Sequence, residues 1–214
     1  MAVVKIKGEI IPNKDKWIYD WLGWEATCPE DIESVIAGMS PGEELEVHVN
    51  SGGGSVWAGQ EIYTMLKRRT DVVIEIQSMA GSAAGVVAMA GKNRISPIGM
   101  IMIHNVSMSG ASGDYHAMEK NVEILKQMNA AMAEAYTEKS GMELKEVLKL
   151  MDRETWLTAN QCLEYGFVDE IMTDRVSFTN AVQGMRLTEE IRKQVMEEKN
   201  KKEELIKDLD MYGV

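Results

Sequence analysis

Positive charge is scarce in this sequence. Lysine and arginine total 23 against 34 aspartates and glutamates, a formal net charge of −11. A nucleic-acid binder needs a basic face to neutralise phosphates, so that class is disfavoured. Simple electrostatic attachment to an anionic membrane surface is disfavoured for the same reason. Long hydrophobic runs are missing too: no stretch reaches the roughly eighteen apolar residues of a membrane span. The opening Met1-Ala-Val-Val-Lys-Ile-Lys7 alternates like a strand and lacks the apolar core of a secretory signal. Cysteine and histidine are few. Cys28 and Cys162 stand far apart with no motif around them, and are read as buried thiols of a reducing cytosol. With three scattered histidines and no paired ligand spacing, neither a metal site nor a cofactor is expected.

What is present is an ordinary globular composition, 45% hydrophobic and 27% charged over 214 residues. That is enough for one good core with an appendage. Val3–Ile11, Glu44–Asn50 and Val72–Ile76 read as strands, the second with Leu45, Val47 and Val49 on one face. Helical spacing marks Val56–Arg69, Tyr115–Lys139, Leu144–Met151 and Thr158–Tyr165, the last closed by Gly166. Pro29 followed by acids opens another helix, which Pro41-Gly42 should stop. Asn13–Gly23 reads as a connection, Gly81–Gly91 as a small buried helix, Arg94–Pro97 and Met100–Ile103 as short extended pieces, and Val168–Met172 as a last strand. Strands alternating with helices imply an α/β fold with a mostly parallel sheet. Residues 1–173 are expected to form the domain. Residues 174–214 should be a charged, helical tail or partner-binding arm, since Glu, Lys and Asp crowd Leu187–Tyr212.

Three segments carry the chemistry. Asn50-Ser-Gly-Gly-Gly-Ser55 joins a strand to a helix, and glycines there let backbone amides approach a developing anion. Alone, a glycine run is a weak signal and reads as a tight strand-to-helix turn with no ligand. Gly81-Ser82-Ala83-Ala84-Gly85 places a serine at a second strand-to-helix junction, where it is either a helix cap or an exposed nucleophile. Met100-Ile-Met-Ile-His104 ends an apolar strand in an imidazole, either a core histidine or a base. A serine hydroxyl needs such a base, and the base needs a carboxylate to orient it. Candidate carboxylates lie in Met151-Asp152-Arg153-Glu154-Thr155-Trp156.

With Glu164-Tyr-Gly-Phe-Val-Asp-Glu-Ile171 added, these motifs stand in one order and one set of spacings. Over roughly residues 8–172 the chain resembles the Clp protease proteolytic subunit (peptidase family S14), especially its phage head-maturation relatives. The resemblance implies a crotonase-like α/β fold of repeated ββα units with a protruding handle helix, assembled into one ring or two stacked rings. It implies a serine endopeptidase with Ser82 as nucleophile, His104 as base, and the Gly54 and Ala83 amides as oxyanion hole. Ser107-Met-Ser-Gly-Ala-Ser-Gly113 and the following helix match the handle region, beside which substrate would add as a strand.

Two departures matter. Glu154 stands where the family has aspartate, and Asp152 remains the alternative. The chain begins almost directly with its first strand, which sets an ATP-driven unfoldase partner in doubt and favours clipping of capsid or scaffold proteins in a phage prohead, within the bacterial cytoplasm. Competing readings are an acyl-CoA hydratase or isomerase, a non-catalytic scaffold-binding ring, and a Ser–Lys dyad using Lys92. His48 and His116 are expected at the surface. Trp17, Tyr19, Trp21 and Trp24 are expected either at a subunit interface or in plain core packing.

Overall fold

The computed structural model describes residues 1–173. The expected tail after residue 173 lies outside the described residues.

Eight strands form one sheet: β1 Ala2–Ile10, β2 Ala26–Thr27, β3 Leu45–Gly54, β4 Val72–Gly81, β5 Lys92–Ile95, β6 Met100–Ile103, β7 Thr155–Thr158 and β8 Glu170–Ile171. The helices are α1 Lys16–Leu22, α2 Pro29–Ala37, α3 Val56–Lys67, α4 Ala83–Ala88, α5 Tyr115–Ser140, α6 Leu144–Asp152 and α7 Ala159–Glu164. Strand order runs β2-β1-β3-β4-β5-β8, all parallel, while β6 pairs parallel with β4 and carries β7 antiparallel on its other side. The α/β class with a mostly parallel sheet, read from the alternation of elements, is what the chain adopts.

The core follows from the strand periods. Leu45, Val47 and Val49 on β3 and Ile74 and Ile76 on β4 are fully buried, and Ile62 and Leu66 of α3 belong to the same core. Every residue of α4 is buried, as its small apolar composition predicts. Tyr136 of α5 packs with its ring centroid 5.3 Å from that of Phe167, closing the core beneath α4.

Several expectations are corrected. Lys16–Leu22 is helical rather than a plain connection, ended by Gly23 at φ 68°, a left-handed stop that suits glycine. α2 already ends at Ala37, before the Pro41-Gly42 expected to stop it. β3 continues through the glycine run to Gly54, because Glu9 and Ile10 of β1 pair with Gly53 and Gly54. Thr155–Thr158 is a strand that the sequence periodicity did not reveal. Core packing does not describe Trp17, Trp21 and Trp24, which are largely exposed. His48 is half-buried among Glu46, Glu75 and Arg94 rather than on the open surface. No helix among the described residues is long and apolar enough to cross a membrane.

Candidate active site

Ser82 sits at the apex between β4 and α4 with φ 52° and ψ −123°. A side chain with positive φ costs of order 1–3 kcal/mol, so surrounding structure must hold it there. The hold is visible. The Ser82 amide donates to the carbonyl of Met102 on β6 at 2.8 Å, and the Val86 amide donates to the Ser82 carbonyl at 3.2 Å. β6 ends one residue after Met102, and His104 follows at once. The strand that anchors the serine backbone therefore also delivers the imidazole. His104 Nε2 stands 2.8 Å from Ser82 Oγ.

The glycine run lies against this apex. A Cβ on Gly53, whose φ is 100°, would meet Gly81 O at 2.7 Å, Ser82 Cβ at 2.7 Å and Ala83 N at 2.9 Å. Gly54, at φ 144°, leaves no more room, since its Cβ would fall 2.3 Å from Ile10 O. Only glycine lets β3 press its backbone so close to the serine. Ala83, as first residue of α4, offers an amide with no intrahelical acceptor.

Of the two candidate carboxylates, neither is hydrogen-bonded to His104 among the described residues. Glu154, at φ 48°, accepts from the Trp156 indole at 3.3 Å. Asp152 accepts from the Asn105 amide at 2.9 Å. The β6–β7 ladder pairs Met102 with Trp156 and Ile103 with Thr155 and ends there, one residue short of both His104 and Glu154. Lys92 pairs with Val73 near the start of β4, whereas Ser82 follows that strand's end. Nine residues of strand put the two about 25–30 Å apart. His116 lies exposed on the first turn of α5, as expected.

Val56, Val86, Val106, Met132, Tyr136 and Met151 join Ser82 and His104 around a pocket of about 20 Å³. Val56 and Val106 also line a wider groove of about 340 Å³ with Gly54, Trp57, Met108 and Met128. A larger concavity, about 510 Å³ along α5 at Lys120–Met128, touches neither Ser82 nor His104. The sequence did not point to Tyr136 or to the Asn105–Asp152 bond. A tyrosine within a helix and a lone asparagine after a strand carry no local signal of their place near the serine.

An apical serine, an imidazole in hydrogen-bond reach and a glycine strand pressed against the serine define a site suited to nucleophilic acyl transfer. Comparison with known sequences agrees. The sequence model described as Clp protease matches residues 34–175. An ATP-dependent Clp protease proteolytic subunit of Bacteroides fragilis is 33% identical over 138 residues, 63% of this chain and 66% of that protein. Its counterpart in Porphyromonas gingivalis is 34% identical over 136 residues, 62% of this chain and 61% of that protein. Proteolytic subunit 1 of Corynebacterium glutamicum is 32% identical over 145 residues, 66% of this chain and 70% of that protein. The chain belongs to the Clp protease family, and its parallel-sheet α/β architecture is consistent with the Clp protease fold. It spans just under two thirds of the length of the Bacteroides relatives.

Proposed function

We propose that this chain is a serine endopeptidase that hydrolyses peptide bonds through Ser82, His104 and Glu154. The observation that carries the reading is the 2.8 Å contact between Ser82 Oγ and His104 Nε2 at a strained strand-to-helix apex. Ser82 Oγ attacks the scissile carbonyl while His104 Nε2 takes its proton. The tetrahedral oxyanion sits at the Gly54 and Ala83 amides, each worth about 3–4 kcal/mol of barrier. His104 then gives the proton to the leaving amine, and the acyl group remains on Ser82. Water repeats the sequence: His104 takes its proton, the ester breaks, and Ser82 recovers the hydrogen. Glu154 holds the imidazolium, for which speaks the ladder end Ile103–Thr155, one residue from both His104 and Glu154.

The same reading makes the chain one subunit of a ring, or of two stacked rings, that encloses these sites and takes polypeptide as substrate. Support comes from apolar groups left uncovered in the single chain: Trp17, Trp21 and Trp24 around α1, and Tyr115, Val122 and Ile124 on α5. The finer role, clipping capsid or scaffold proteins in phage head maturation, rests on the resemblance of the motifs alone. Action in the bacterial cytoplasm belongs to that same reading.

Intact-mass labelling with a fluorophosphonate tests the chemistry. One adduct on the wild type and none on Ser82→Ala is expected. No adduct on an assembled wild-type ring would move a non-catalytic scaffold ring ahead. Casein cleavage without turnover of acyl-CoA would separate the peptidase from a hydratase.

A further inference from the structure

A second cluster of titratable side chains lies far from Ser82. Glu46 and His48, two apart on β3, project from one face, and the β3–β4 register sets Glu75 directly opposite His48. The donor atoms of all three lie within 4.8 Å of one another. Their side chains are only 16%, 18% and 12% exposed, so the cluster is half-buried on a rigid sheet rather than solvated at a loop.

The orientation of the carboxylates is informative. His48 Nε2 faces Glu46 Oε1, in hydrogen-bond contact, and Glu75 Oε2, at 3.5 Å. The other oxygens turn to Arg94 on β5, whose Nε donates to Glu75 Oε1 at 2.6 Å and whose Nη2 lies 3.8 Å from Glu46 Oε2. Arg94 therefore backs both carboxylates while their free oxygens converge on one imidazole nitrogen. Outer partners of this kind orient the ligands of metal sites. Charge points the same way. Glu46, Glu75 and Glu170, the last 4.0 Å from Arg94, oppose one guanidinium, leaving the carboxylates about two charges in excess.

We infer that Glu46, His48 and Glu75 bind a divalent transition-metal cation, for which Zn²⁺ is the test ion. Zinc bonds of 2.0–2.2 Å in a tetrahedron separate donor atoms by about 3.4 Å. The His48–Glu75 pair already stands at 3.5 Å. Only Glu46 must draw back, as the metal takes the place of the proton between it and His48. Water completes the coordination. His48 precedes Gly54 by six strand residues, about 20 Å, so this ion takes no part in acyl transfer at Ser82. The sequence hid the site because its ligands pair across strands, and the spacing along the chain matches no metal motif.

The competing account is a direct His48–Glu46 contact that takes no metal. Calorimetric titration with Zn²⁺ at pH 7.5 separates the two, using the full chain, His48→Ala, the isosteric Glu75→Gln, and His116→Ala as a surface control. One Zn²⁺ per chain is expected, with affinity reduced at least tenfold in His48→Ala and Glu75→Gln and unchanged in His116→Ala. Circular dichroism establishes that each variant is folded. If His48→Ala fails to fold, Glu75→Gln decides alone. No heat of binding at 100 μM Zn²⁺ overturns the inference, as does wild-type affinity in Glu75→Gln.

Discussion

His104 meets Ser82 because both are fixed to β6: the Met102 carbonyl accepts the Ser82 amide, and the imidazole leaves the strand two residues later to stand 2.8 Å from Oγ. The pair is thus set by a strand register rather than by a loop. Such a pair is preorganised, and labelling at Ser82 should not need substrate to assemble it.

Ser82→Ala and His104→Ala are each expected to lower kcat/KM by roughly 10⁵- to 10⁶-fold, and the double variant by no more, because the two residues act as a unit. Peptide hydrolysis by single and double variants measures this. Additive losses would mean that the two do not share a step.

The carboxylates separate by a second pair of variants. Glu154→Gln is expected to lower kcat about 10³- to 10⁴-fold, as loss of the charge that orients an imidazole does. Asp152→Asn should leave kcat within about fivefold, since it alters one hydrogen bond to Asn105, worth about 1 kcal/mol. The reverse ranking would assign the role to Asp152.

The glycines of β3 give a contrast within two residues. Gly52 has nothing within 4 Å of a built Cβ, whereas Gly53 would collide with Gly81 O and Ser82 Cβ at 2.7 Å and holds φ at 100°. Gly52→Ala is expected to shift stability by less than about 0.5 kcal/mol. Gly53→Ala should cost about 2–4 kcal/mol from strain and overlap, and abolish fluorophosphonate labelling. Urea midpoints and intact mass measure both.

What the sequence made legible was whatever leaves a local mark. The alternation at Leu45, Val47 and Val49 marked a strand, and small residues marked α4. Gly53 and Ser82 stood at junctions that motif and period both announced. What stayed hidden depended on partners. α1 is seven residues long, too short to show a face, and keeps Trp17 and Trp21 exposed. β7 buries only Leu157, so its pattern is silent until β6 lies beside it. His48 looked like a surface residue because the burying groups, Glu75 and Arg94, come from neighbouring strands. Side-chain direction at Glu154 depends on a single residue with positive φ, which composition does not reveal.

The two thiols supply a test of the core itself. Burial pushes the Cys162 thiol up to about 12 and raises Cys28 as well. Neither should react with iodoacetamide at pH 8 in the folded chain, and both should react in urea. The sign of the linked stability follows. An unfolded thiol ionises near 8.5, so between about pH 9 and 12 the unfolded chain has lost a proton that the folded chain keeps at Cys162. Stability is fully present below that window and falls as pH rises through it, by up to about 1.4 kcal/mol per pH unit for this one group. Tyr63, also pushed up to about 12 by burial and by Glu138, adds to the fall above about pH 10. Urea midpoints at pH 8, 9 and 10.5 should therefore descend, and Cys162→Ala should show a shallower descent from a lower starting stability. An equal slope in that variant would mean that the thiol ionises in the folded chain, and that the layer between β6 and α7 admits water.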